Sequence, residues 1–109
     1  MKTDHKWVEL GPRFNIAGTQ YADLKKCRGS IRLGQQVRFV GQPSNQYDNK
    51  AVKVLYGEKH IGFVPMNSAV KFAMWDEHAA QSRLIGVVTA LQLNFSAVDY
   101  VQIQVLVLS

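Results

Sequence analysis

The chain has 109 residues, 47% of them hydrophobic and 19% charged, with 8 Gly and 3 Pro; that suffices for one cored domain and excludes a disordered composition. The net charge of +5 is uneven: seven Lys and four Arg stand against five acids up to Lys59, a balance of +6, whereas from His60 on Lys71 and Arg83 face Asp76, Glu77 and Asp99, a balance of −1. A single cysteine, Cys27, excludes an intramolecular disulfide or a cysteine-rich zinc site, and His5, His60 and His78 lack ligand spacing, so no metal or cofactor is expected.

Residues 1–12, ending at the Gly11-Pro12 break, read as an amino-terminal arm or a short edge strand, with Trp7 as its pin, and residues 13–109 as the single domain. Arg13 to Tyr21, with Phe14 and Ile16, fits a strand that has a glycine-permitted irregularity near Ala17-Gly18. Ala22 to Arg28 is polar and basic, with Leu24 its one large aliphatic residue, and reads as a helical turn that links rather than builds core. Val37 and Phe39 alternate with Arg38 as in a half-buried strand, and the polar stretch Gly41 to Lys50 is a connection longer than a tight hairpin needs, the kind of loop that often carries function.

Ala51 to Tyr56 and Lys59 to Val64, joined by Gly57-Glu58, read as a β-hairpin. Pro65 stops the second strand, and Asn67 or Ser68 caps a helix expected to reach about Gln81, with Val70, Ala73 and Met74 at helical spacing. Leu84 to Phe95 and Ala97 to Leu108, rich in Val, Leu and Ile, read as a closing hairpin, in which Val101, Ile103, Val105 and Val107 alternate with Gln102, Gln104, Leu106 and Leu108. The sum is a mainly β protein: a small OB-like β-barrel of about six strands with one main α-helix. No apolar run has the length of a membrane span, and Asp4, Lys6 and Glu9 interrupt any signal-peptide core, which leads to an expectation of cytoplasmic location without a membrane partner.

The basic first half suits a polyanion, nucleic acid foremost, because each cation near a phosphate releases counterions. In Asn45-Gln46-Tyr47-Asp48, the Asp48 carboxylate offers an acceptor to a terminal ribose hydroxyl and repels a phosphate. Tyr47 and Tyr21 offer ring faces for stacked bases, and Asn45 can bond a base edge, the backbone or its own loop. Lys50, Lys53 and Lys71, with Lys25, Lys26 and Arg28, are candidate phosphate partners. Beside these readings stand plainer ones: Asn45 and Asp48 as turn residues, Tyr21 as a core aromatic, Gly18 and Gly62 as backbone necessities. The chain has no P-loop run, its eight acids form no obvious metal-binding pair, and Cys27 has no nearby histidine to act as its base, so an enzyme is not expected.

Three segments in order, Ala17-Gly18-Thr19-Gln20-Tyr21, then Pro43-Ser44-Asn45-Gln46-Tyr47-Asp48-Asn49-Lys50-Ala51-Val52-Lys53-Val54, then Ile61-Gly62-Phe63-Val64-Pro65, resemble the signature of the HIRAN domain. The resemblance implies an OB-like fold that captures the 3′-hydroxyl end of single-stranded DNA, in DNA repair or processing, with a helicase or nuclease as a possible partner. It also implies that Tyr21 and Tyr47 flank the terminal bases while Asp48 holds the hydroxyl. Gln20 stands where a DNA-binding eukaryotic member has an arginine, Met66 near where it has a lysine, and Gln46 in place of the motif's proline. The two lost charges imply weaker, more salt-sensitive binding. The alternatives left open are a protein-interaction adaptor of a DNA-processing complex and an RNA-binding module.

Overall fold

The computed structural model describes residues 6–18, 24–27, 29–42, 44–66, 68–76, 84–92 and 100–108. Its elements in chain order are β1 (Trp7–Glu9), β2 (Phe14–Asn15), a 3-10 helix (Leu24–Cys27), β3 (Gln36–Gln42), β4 (Ala51–Tyr56), β5 (Lys59–Phe63), α1 (Ala69–Asp76), β6 (Leu84–Gln92) and β7 (Tyr100–Leu108). The strands form one antiparallel sheet in the order β1-β7-β6-β3-β4-β5, with β2 also paired to β7. This is an OB-like small β fold whose seven-stranded sheet is not closed. The stretch Phe14–Ala17 spans the gap: Phe14 and Asn15 pair with Ile103 and Gln102 of β7, and Ala17 makes a single bridge to Phe63 of β5. Among the described residues no helix is long and apolar enough to cross a membrane.

Alternation places the core. Val37 of β3, Val52 and Val54 of β4, Val88 of β6 and Val101, Ile103 and Val105 of β7 are buried, as are Val70 and Met74 of α1. Each such side chain contributes about 1.5–3 kcal/mol of burial free energy. Both expected hairpins are present, β4–β5 around Gly57-Glu58 and β6–β7; the turn of the second lies outside the described residues. β3 runs on through Gly41 and Gln42, which pair with Val52 and Ala51, so the loop to β4 is shorter than the polar composition of Gly41 to Lys50 suggests. Backbone pairing there overrides side-chain polarity.

Three expectations need correction. The segment about Leu24 builds core rather than merely linking: Leu24, Cys27 and, after it, Ile31 are buried, because one turn of 3-10 helix is enough to aim Leu24 and Cys27 inward. Gln104, expected on the outer face of β7, is also buried. The chain after β1 crosses over it, and its Nε2 donates to the Gly11 carbonyl at 3.1 Å while Oε1 accepts from Arg13. Trp7 lies on the edge strand but is 44% exposed, and the arm is held instead by the β1–β7 ladder. Helix α1 is described through Asp76, and its expected continuation to Gln81 lies outside the described residues.

Candidate nucleic-acid interface

The β3–β4 loop is built on its own polar side chains. Asn45 Oδ1 accepts the backbone N–H groups of Tyr47 at 2.8 Å and Asp48 at 3.1 Å, while Asn45 Nδ2 donates to Gln42 Oε1 at the end of β3. Asp48 Oδ1 accepts the Lys50 N–H at 2.9 Å, and the Asp48 carbonyl accepts the Ala51 N–H that opens β4. These are the short-range turns that Asn and Asp favour. The plainer reading of both residues therefore holds: Asn45 uses its carbonyl oxygen within the loop and keeps one Nδ2 hydrogen to offer, while the Asp48 carboxylate keeps acceptor capacity on both oxygens.

This fixed loop faces a second wall made where Ala17, just past β2, meets Phe63 of β5. Ala17 and Phe63 exchange two backbone hydrogen bonds of 2.8 Å, and a Cβ added to Gly62 would stand 2.8 Å from the Ala17 carbonyl oxygen, so only glycine allows that approach. Gly18 follows with φ +65, a left-handed conformation, against the Phe63 ring. Between the walls lies a groove of about 220 Å³. Asn45, Tyr47, Asp48 and Ala51 line one side, and Ala17, Gly18, Phe63, Val64 and Met66 the other. The lining is mostly apolar, with the polar groups concentrated in the loop.

Tyr47 is 84% exposed, its ring free to meet a flat partner at the groove mouth. Asp48 is held from behind. Lys71 of α1, 2% exposed, places its Nζ 2.6 Å from Asp48 Oδ2. Hydrogen bonds from the Lys71 ammonium and then from the Lys50 N–H pull the Asp48 pKa below its ordinary 3.8, against an opposing effect of burial. The carboxylate is thus ionised at neutral pH with one donor already on each oxygen.

The structure brings Asn45, Tyr47 and Asp48 together at the groove and joins Lys71 to them through Asp48, not at the surface. Lys50 is exposed in the loop; Lys53 is half-buried in β4, its Cα paired with Phe63 and Val40. Gln20 and Tyr21 lie outside the described residues, as do Arg28 and the side chain of Lys25. Sequence reasoning gave Phe63, Val64 and Ala51 no part in a site. The signal was the tight pair of small residues, Ala17 and Gly62, whose contact makes the second wall. Met66 lies at the rim, 56% exposed.

A family model described as the HIRAN domain matches residues 12–105. The chain belongs to the HIRAN domain family. Among solved structures, this HIRAN domain is similar to a protein from Lactobacillus plantarum, with a TM-score of 0.74, 23% identity, and 96% of this chain and 98% of that one covered. It is also similar to the HIRAN domain of human HLTF, with a TM-score of 0.65, 18% identity, and 94% and 78% covered. No curated protein sequence matches it. Membership of the family supports a nucleic-acid-binding domain rather than a catalytic one.

Proposed function

We propose that the groove captures the 3′-hydroxyl end of a single DNA strand. The observation that carries this reading is the Asp48 carboxylate on the groove wall, ionised, fixed on both oxygens and still holding unused lone pairs. A terminal hydroxyl can donate to it. A terminal phosphate has only acceptors to offer and adds charge repulsion. Tyr47 supplies a ring for the terminal base, and the apolar wall of Phe63 and Val64 takes sugar or base faces without selecting sequence. Tyr21, three residues beyond the Gly18 wall, is the second stacking residue of this reading, with Gln20 beside it. Lys50 and Lys53 supply phosphate attraction. Residues 13–109 form the binding domain and 1–12 its arm, and the role is in DNA repair or processing beside a helicase or nuclease.

Fluorescence anisotropy of a labelled ten-nucleotide DNA with a 3′-hydroxyl, against the same strand with a 3′-phosphate, tests the proposal at two salt concentrations. One hydrogen bond to a charged group contributes about 1.5–3 kcal/mol, so the hydroxyl strand is expected to bind roughly 10- to 100-fold more tightly. Equal affinity for the two ends overturns end capture.

A further inference from the structure

We propose that Lys71 is the positioning residue of the groove, fixing the Asp48 carboxylate so that it accepts a hydroxyl and rejects a phosphate. This rests on the function proposed above. Lys71 follows Val70 on α1 and is buried at 2%, alongside the buried Val70 and Met74. An ammonium removed from water in this way is costly unless a carboxylate meets it, and Asp48 Oδ2, at 2.6 Å, does so from a loop 23 residues earlier. Such a pair is no more stabilising than an apolar pair of the same size. What it adds is orientation. With Oδ2 held by the Lys71 ammonium and Oδ1 by the Lys50 N–H, the carboxylate has a donor on each oxygen and cannot turn about its bond to the chain without losing one.

The depth of the two groups decides how Lys71 acts. The lysine side chain is 3% exposed and the aspartate 18%, so the carboxylate stands between the ammonium and the groove. A strand in the groove meets the acceptor first, and Lys71 reaches a phosphate only by abandoning Asp48. Lys71 therefore governs which end is accepted, through Asp48, rather than adding one more cation to the strand's backbone. The ionisable side chains next to Asp48 along its own loop are Tyr47 and Lys50, and both are exposed. From the helix side it is met by Lys71.

The test uses the full chain as wild type, Lys71→Met and Lys71→Gln. The Gln variant keeps a donor without the charge and provides a second reading if Met prevents folding. The first measurement is made without DNA: the carbon-13 signal of the Asp48 carboxyl through an acid titration, with the amide signals of Tyr47 and Lys50. The second is the ratio of 3′-hydroxyl to 3′-phosphate affinity across a salt series. Both variants are expected to raise the Asp48 midpoint towards its ordinary value, to move the Lys50 amide, and to bring the affinity ratio close to one with the salt slope unchanged. A retained ratio with a salt slope smaller by about one is the mark of direct phosphate contact and overturns the proposal. Asp48 signals that stay in place in both variants overturn it as well. If the wild type itself binds both ends equally, the proposed function fails, and the carboxyl signals alone decide the role of Lys71: moved, they support it; unmoved, they end it.

Discussion

In the ion pair between Lys71 and Asp48 the cation is the deeper partner, its side chain 3% exposed against 18% for the aspartate. The two single truncations are therefore unequal. Asp48→Ala removes the carboxylate that faces a buried ammonium and the acceptor of the Lys50 N–H, a loss of about 3 kcal/mol. Lys71→Met keeps an unbranched side chain of similar length without the charge and leaves Asp48, 18% exposed, close enough to solvent to be hydrated, a loss of about 1 kcal/mol or less. The double variant is expected to stand near Lys71→Met. Urea unfolding of the four proteins measures the cycle, and a larger loss for Lys71→Met than for Asp48→Ala contradicts this order of depth.

The same pair sets an acid limit. The Asp48 pKa is lowered in the folded protein, chiefly by the Lys71 hydrogen bond and next by the Lys50 N–H. A carboxyl whose folded value lies below its unfolded one contributes stability fully above the unfolded value, 3.8, and loses it as pH falls through the folded value. The stability gap between the wild type and Asp48→Asn is thus expected to be constant between about pH 5 and 8 and to close below about pH 4, as protonation makes Asp48 resemble the amide. Thermal unfolding across that range checks it. A gap that does not shrink at all as the pH falls below about 4 assigns the difference to shape rather than charge.

Most of the fold was legible because it is written in period-two alternation and turn chemistry. The β4–β5 and β6–β7 hairpins follow from Gly57-Glu58 and from the Val and Ile spacing of β7. What was not legible depends on tertiary covering. Gln104 alternates as a solvent-facing residue and is buried because Gly11 to Arg13 passes over it. Lys71 reads as a surface cation by type, but the helix face carrying Val70 also buries Lys71, and only the folded loop shows the carboxylate that makes this tolerable. The Asn45 to Asp48 side of the groove is local and visible in sequence. The opposite side joins residues 17 and 63, and no single-segment pattern contains it.

Tyr47 separates binding from folding. Its ring is 84% exposed, so Tyr47→Ala is expected to change stability by no more than about 0.5 kcal/mol. Loss of one stacked base contributes roughly 1–3 kcal/mol, which weakens binding of single-stranded DNA about 5- to 100-fold. Tyr47→Phe keeps the ring and is expected to bind nearly as well as the wild type. Anisotropy titrations of the three proteins beside their urea midpoints give the comparison, and an unchanged affinity in Tyr47→Ala removes the ring from the interface.

Gly62→Ala acts on the opposite wall. The added methyl would stand 2.8 Å from the Ala17 carbonyl oxygen and 3.2 Å from the Ile16 side chain, and the oxygen belongs to backbone already committed to a bridge with Phe63. Relief requires β5 and the Phe14–Ala17 stretch to separate, which lengthens the two Ala17–Phe63 hydrogen bonds and costs about 1–3 kcal/mol. That separation widens the wall formed by Ala17, Gly18 and Phe63, but Asp48 and Lys71 are held by the β3–β4 loop and α1 and stay in place. The substitution is therefore expected to weaken binding of 3′-hydroxyl and 3′-phosphate strands by the same factor, leaving their ratio at the wild-type value. A ratio that collapses in Gly62→Ala as it does in Lys71→Met means that end selection depends on the whole groove rather than on the ion pair at one side of it.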